Sequence, residues 1–234
     1  EVGGGLTGYV ERNGERDYQK VKDGAGESED SVMHAVAGQA RVTGIKMETI
    51  THTMQELANI IALQQHVGSQ DLSGKKYVLT WTYHPKPLNT AVANSALQIA
   101  TRYGMDVTLL CPTPEYALDP RYLDFAKRNV AENGRSFAIS HDIEASYRGA
   151  DVVYANSWGA PAYFGNWEPE KTIRDAHKPL IVDAAKMALT PNGGFSQCLP
   201  PRRHTKATPA VLDTPASHAT RAADDPPPAP HPPP

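Results

Sequence analysis

Cysteine is nearly absent. Only Cys111 and Cys198 occur in 234 residues, so no disulfide framework organises the chain. Long apolar runs are missing too: stretches such as YVLTW and DVTLLC fall far short of the roughly 20 residues that cross a bilayer. No charged-then-apolar leader opens the sequence, and the expectation is a cytoplasmic protein. An excess of basic charge is likewise absent, with 23 Lys and Arg against 26 Asp and Glu, which leaves no footprint for nucleic acid or an acidic membrane. The nine histidines are scattered without metal-ligand spacing. There is no Walker loop and no GxGxxG, and GGGLTG at residues 3–8 follows no strand pattern, so no nucleotide fingerprint is present. Any anion site must therefore be local.

What is present divides into three regions. Residues 1–45 are rich in glycine and charge with little periodic hydrophobicity, a composition that loses more entropy on ordering than burial returns. Residues 46–212 alternate in pattern. THTMQELANIIALQQHVG has Thr51 as N-cap, Met54, Leu57, Ile60, Ile61 and Leu63 along one face, and Gly68 at its stop. KKYVLTWTYH reads as a strand, NTAVANSALQIATRYG as a helix and DVTLLCP as a buried strand. DPRYLDFAKRNVAENG is a helix between Pro120 and Gly134; SFAISHD, DIEASYRG and DVVYANS continue the alternation. EKTIRDAH, KPLIVDA, AAKMALTPNG and GFSQCLP complete it. Strands separated by helices of this length predict an α/β fold with a doubly wound, Rossmann-like parallel sheet. Ligands of such sheets bind beyond the carboxyl ends of the strands. Residues 213–234 end in a proline-rich run that no helix tolerates. An extended, disordered tail is predicted, either inert or a polyproline ligand for a partner.

Several side chains suit chemistry at those strand ends. His52 and Gln55 lie three apart near a helix N-terminus, where a His donor and a Gln acceptor together match a carbamoyl or carboxamide group. A capping His and a solvated Gln are the alternative. Glu48, just upstream, is either a charge at the helix entry or an anchor for a substrate cation. Asn156, Ser157 and Trp158 follow a strand in YANSWGAP, where a ligand would sit, although Trp158 also suits a core. Cys198 has neither a neighbouring histidine nor a nucleophile elbow and reads as a packing thiol. Arg202, Arg203 and Lys206 follow it closely, a grouping suited to carboxylate or phosphate recognition or to a solvated basic loop.

METITHTMQELA, KKYVLTWTYHPKPLNTAVANSALQIATRYGMDVTLLCP, DVVYANSWGAPAYFGNWEPEK and FSQCLPPRRHTKAT, in that order, resemble the aspartate/ornithine transcarbamylase family, and WTYHPKPLNTAVANS resembles its acetylornithine branch. The resemblance runs from about residue 28, firmly from 46, to about 213. It implies two α/β domains, with residues 1–45 a poorly matched remnant of the first and 46–212 the acetylornithine-binding second. It also implies a homotrimer with shared active sites and carbamoyl transfer from carbamoyl phosphate to the δ-amine of N-acetylornithine in arginine biosynthesis. No metal or organic cofactor is implied, and the partners are those two small molecules. By the same resemblance His52, Thr53, Met54 and Gln55, with Cys198 and Leu199, bind carbamoyl phosphate, and His52, Gln55, Cys198 and Leu199 act in catalysis. Glu48, Asn156, Ser157, Trp158, Leu199, Arg202 and Lys206 bind the acceptor. Lys206 matches a lysine that is carboxylated in some members.

The sequence also departs from the pattern. The family's Ser-x-Arg-Thr-Arg phosphate loop has no counterpart in this chain. Its His-Pro-x-Gln reads His52-Thr53-Met54-Gln55, its His-Cys-Leu-Pro reads Gln197-Cys198-Leu199-Pro200, and the lysine before Ser-Trp-Gly is Asn156. Slow or absent turnover by this chain alone is expected. The alternative function is a non-catalytic binding or assembly module that retains the acetylornithine half-site.

Overall fold

Apolar residues at every second position of KYVLTW send Tyr77, Leu79 and Trp81 to one side of a sheet and Val78 to the other. This strand, β3 (Lys76–Trp81), is the middle strand of the five-stranded sheet. The computed structural model describes residues 10–12, 15–17, 53–164, 166–190, 193–197 and 206–217. Two compact units partition the chain, Glu1–Thr51 and His52–Pro234.

In the first unit, β1 (Val10–Arg12) and β2 (Glu15–Asp17) form an antiparallel ladder with Val10 opposite Asp17. The region's composition gave no reason to expect regular structure.

The second unit opens with helix α1 (Thr53–Val67), then β3, α2 (Ala91–Arg102) and β4 (Asp106–Leu110). Next come α3 (Pro120–Asn133), β5 (Phe137–Ser140), α4 (Ile143–Tyr147) and β6 (Val152–Asn156). Helices α5 (Trp167–Ala176) and α6 (Ala184–Met187), strand β7 (Gly194–Gln197) and helix α7 (Pro209–Leu212) complete it. All four neighbouring pairs are parallel, in the order β5-β4-β3-β6-β7. The doubly wound parallel sheet read from the alternating pattern is the observed fold.

Local chemistry sets the boundaries. The Asp119 carboxylate accepts from Arg121 N at 2.9 Å, Pro120 occupies the first turn, and Gly134 closes α3 at φ +63°, a left-handed conformation that costs other residues more. Asp142 and Asp183 cap α4 and α6 in the same way. One face of the sheet packs Leu79, Leu109 and Tyr154 against Leu63, Leu97 and Ala126; the other packs Val78, Val153 and Phe195 against Tyr147, Val182 and Val211.

Two expectations change. KPLIVDA is not a sheet strand: it contributes a single parallel bridge, Val182 to Ala207. Pro179 has no N–H for a ladder, and the segment docks instead on residues 206–208, with Val182 N donating to Lys206 O and Thr208 N to Val182 O. On α1, Ile61 is 54% exposed, and the buried side carries Glu56, Asn59, Ile60 and Leu63. Thr51, read as the cap of this helix, lies outside the described residues.

Core and cap contributions should separate cleanly in chemical denaturation. Leu79→Ala, at a fully buried position, is expected to cost about 3 kcal/mol, and Asp119→Ala about 1 kcal/mol. Equal losses would contradict this division.

Candidate functional site

The chain changes direction across the sheet at β3. It runs outward through β4 and β5, then returns to the other side of β3 as β6 and β7. The loops leaving β3 and β6 flank this strand reversal, the position at which open α/β sheets hold ligands, and they touch, with Gly159 N donating to Leu88 O at 2.9 Å. Their bases are stitched together: Thr82 N donates to Asn156 O at 2.8 Å, and Thr82 Oγ1 lies 3.1 Å from both Asn156 O and Ser157 Oγ.

Seven of the residues expected at the site fall within the described residues. Asn156, Ser157, Trp158 and Lys206 are all buried. Lys206, fully buried, donates from Nζ to Asn156 Oδ1 at 2.9 Å, so residues fifty apart in sequence meet at the end of β6. Trp158 belongs to the apolar core, its indole donating to Tyr116 O at 2.9 Å while its own carbonyl accepts from the Trp81 indole at 2.8 Å. Thr53, Met54 and Gln55 form the first turn of α1. Glu48, His52, Cys198, Leu199 and Arg202 lie outside the described residues.

Two groups were not anticipated from sequence. Behind Asn156, Glu56 on α1 is 1% exposed and accepts from Tyr154 OH at 3.0 Å and Asn59 Nδ2 at 3.2 Å. Burial raises the Glu56 carboxyl to about 7, opposed by these two hydrogen bonds and by the positive charge of Lys206. The signal was available: positions 56 and 59 share a helical face with Ile60 and Leu63, so polar residues there interrupt an apolar stripe.

The second group braces the loops at the carboxyl ends of the strands. Glu170 and Arg174 form a buried ion pair one turn apart on α5. Glu170 accepts from Tyr116 OH at 2.8 Å and Ala160 N at 3.4 Å, and Arg174 donates to Pro85 O at 3.4 Å. One pair thus ties together the loops after β3, β4 and β6. Close approach is also built into Gly159, where a Cβ would lie 2.7 Å from both Pro87 and Trp167.

Among the described residues no cluster of His, Cys, Asp and Glu suits a metal ion, and no helix is long and apolar enough to cross a membrane. The arrangement gathers hydrogen-bonding groups around one buried lysine ammonium at the end of β6, the end of the sheet at which open α/β folds hold ligands.

Residues 74–225 match the family model for the aspartate/ornithine carbamoyltransferase Asp/Orn binding domain. The chain belongs to this carbamoyltransferase family. It is 63% identical over 215 residues to the N-acetylornithine carbamoyltransferase of Xanthomonas axonopodis pv. citri, covering 92% of this chain and 63% of that protein. The chain thus spans less than two thirds of the length of that relative. A crystal structure of acetylornithine transcarbamylase complexed with acetylcitrulline is 68% identical with a TM-score of 0.73, covering 76% of this chain and 53% of that one. A mutant of N-acetyl-L-ornithine transcarbamylase complexed with carbamyl phosphate and N-succinyl-L-norvaline matches equally, over 76% of this chain and 54% of its own.

The Glu56 shift has a definite sign. A carboxyl raised from 4.5 to about 7 on folding binds more protons in the native state between those values, so its contribution to stability falls as pH rises through that window. Relative to the parent, Glu56→Gln should gain roughly 3 kcal/mol in unfolding free energy between pH 4 and pH 8. Parallel pH–stability curves for the two proteins would show that Glu56 is not raised.

Proposed function

We propose that this carbamoyltransferase-family chain provides the acceptor-binding half of an enzyme that carbamoylates N-acetylornithine. The δ-amine attacks the carbonyl carbon of carbamoyl phosphate, a C–N bond forms as the C–O bond to phosphate breaks, and the amine proton leaves with phosphate. The products are N-acetylcitrulline and inorganic phosphate, in arginine biosynthesis. The observation that carries this reading is the 63% identity to N-acetylornithine carbamoyltransferase across 92% of the chain.

In this reading residues 46–212 form the acetylornithine domain. His52 and Gln55 hold the carbamoyl oxygen and nitrogen, which polarises the carbonyl and fixes the angle of attack. Cys198 and the Leu199 carbonyl line the amine end, while Glu48, Arg202 and the Asn156–Lys206 pair face the acceptor. Where the family pattern has a lysine before Ser-Trp-Gly, this chain has Asn156, and the buried Lys206 ammonium 2.9 Å away returns a cation to that position. Clamping the leaving phosphate falls to a loop of the Ser-x-Arg-Thr-Arg type, which this sequence lacks. The chain by itself is therefore a binder of acceptor with little turnover. The second reading is a non-catalytic module that keeps the acetylornithine half-site.

Calorimetric titration with N-acetylornithine and with carbamoyl phosphate, run separately, tests the proposal together with a carbamoyl-transfer assay. Saturable heat is expected with N-acetylornithine, and a turnover far below the ordinary value of about 10 per second. An ordinary turnover number would refute the assignment of this chain as half of a site, and no heat with N-acetylornithine would refute the acceptor assignment. Thermal stabilisation by carbamoyl phosphate separates the enzymatic reading from the module reading.

A further inference from the structure

A hollow opens at the carboxyl ends of β3 and β4, on the sheet face covered by α4. Its volume is about 230 Å³, and its apolar walls include Leu110, Ile143, Leu180 and Ile181. At the share of about 30 Å³ that a water takes in the liquid, this is room for a compact molecule of roughly eight heavy atoms. Close-packed interiors rarely leave such a space beside aliphatic side chains, because the lining atoms forgo dispersion contacts that an occupant would restore.

What an occupant must bring follows from the hydrogen-bonding groups on the wall. Most of the donors are committed elsewhere. Thr80 Oγ1 donates to Trp81 O at 3.2 Å, Thr82 Oγ1 to Asn156 O at 3.1 Å and the Trp81 indole to Trp158 O at 2.8 Å. Lys186 is paired with Asp183, so its charge is already balanced. His141 differs. Its Nδ1 lies 2.8 Å from the Cys111 carbonyl, an oxygen that can only accept, so Nδ1 carries the proton and Nε2 is left as an acceptor. Among the described residues Nε2 has no hydrogen-bond partner. His177, edge-on to the Trp81 ring with centroids 6.4 Å apart, is the other imidazole on the wall, and a neutral imidazole always keeps one acceptor nitrogen. An apolar space bordered by acceptors matches a compact hydrocarbon frame that carries one hydroxyl.

We propose that this hollow is a ligand site for a small neutral alcohol or phenol, whose hydroxyl donates to His141 Nε2 while its hydrocarbon body fills the space beside Leu110, Ile143, Leu180 and Ile181. An ionic ligand is disfavoured, because the wall holds no unspent counter-charge and a buried ion without one is costly. The site is distinct from the end of β6 but adjoins it. Thr82 lines the hollow and through Oγ1 contacts Asn156 O and Ser157 Oγ.

The test is a ligand-observed NMR titration of the full chain at about pH 8. Phenol and 3-methylbutan-1-ol are the probes; methoxybenzene, which lacks the donor, and 3-methylbutanoate, which is charged, are the controls. Both probes are expected to saturate below about 10 mM, with methoxybenzene about fivefold weaker than phenol and the carboxylate at least about tenfold weaker than the alcohol. His141→Asn keeps a donor for the Cys111 carbonyl and removes Nε2, so it should lower the affinity for phenol to that for methoxybenzene and leave methoxybenzene unchanged. Ile143→Trp, which fills the hollow, should abolish binding, and Leu180→Trp serves the same purpose should that variant fail to fold. Failure of both probes to saturate, a control binding as tightly as its probe, a His141→Asn variant that still prefers phenol, or undiminished binding in the filled variant would each overturn the proposal. The readout requires neither turnover nor acceptor, so its failure leaves the carbamoyl-transfer reading standing.

Discussion

A lysine ammonium buried beneath the end of a central strand is the constraint around which the second unit is arranged. Removing such a charge from water costs several kcal/mol unless hydrogen bonds and a nearby opposite charge offset it. Lys206 has Asn156 Oδ1 at 2.9 Å and the Glu56 carboxyl close enough to feel its charge. Its backbone is held as well, since Lys206 O accepts from Val182 N. The end of β6, the inner face of α1 and the segment entering α7 are thereby brought to one point. That point lies at the strand reversal, the position at which open α/β sheets hold ligands.

Around this centre the structure separates rigid support from open rim. Trp81, Trp158 and Tyr116 form a chain of indole and phenol hydrogen bonds that ends on the buried Glu170–Arg174 pair. A buried pair of this kind adds little net stability, but losing one partner leaves an uncompensated charge, so it enforces a single arrangement of the three loops it touches. Substrate positioning depends on such enforcement, because reaction rates are sensitive to small displacements of bound groups.

Much of this was legible in the sequence, for identifiable reasons. The strand read from KKYVLTWTYH, the Pro120 start and Gly134 stop of α3, and the strand–helix alternation are local signals, and each reappears in the structure. KPLIVDA misled because apolar and β-branched content marks burial as well as strands, and its partner, the chain at 206–208, is set only by tertiary structure. Asn156 and Lys206 were each visible as candidates, yet their contact was not, since it joins residues fifty apart. Glu56 and Glu170 escaped notice because charged residues on helices ordinarily face water. Only their positions, on the stripe of Ile60 and Leu63 and one turn before Arg174, set them apart. The hollow beside His141 and His177 had no sequence signature, because its walls come from four separated stretches of chain.

The most direct measurement is a double-mutant cycle in unfolding free energy with Lys206→Met, Asn156→Ala and the combined variant. If the Lys206–Asn156 contact organises this region, each single change is costly and the double costs less than their sum by about 2 kcal/mol, the scale of a hydrogen bond to a charged group. Additivity within about 0.5 kcal/mol would mean that the two side chains are neighbours without being coupled, and the account would fail at its centre.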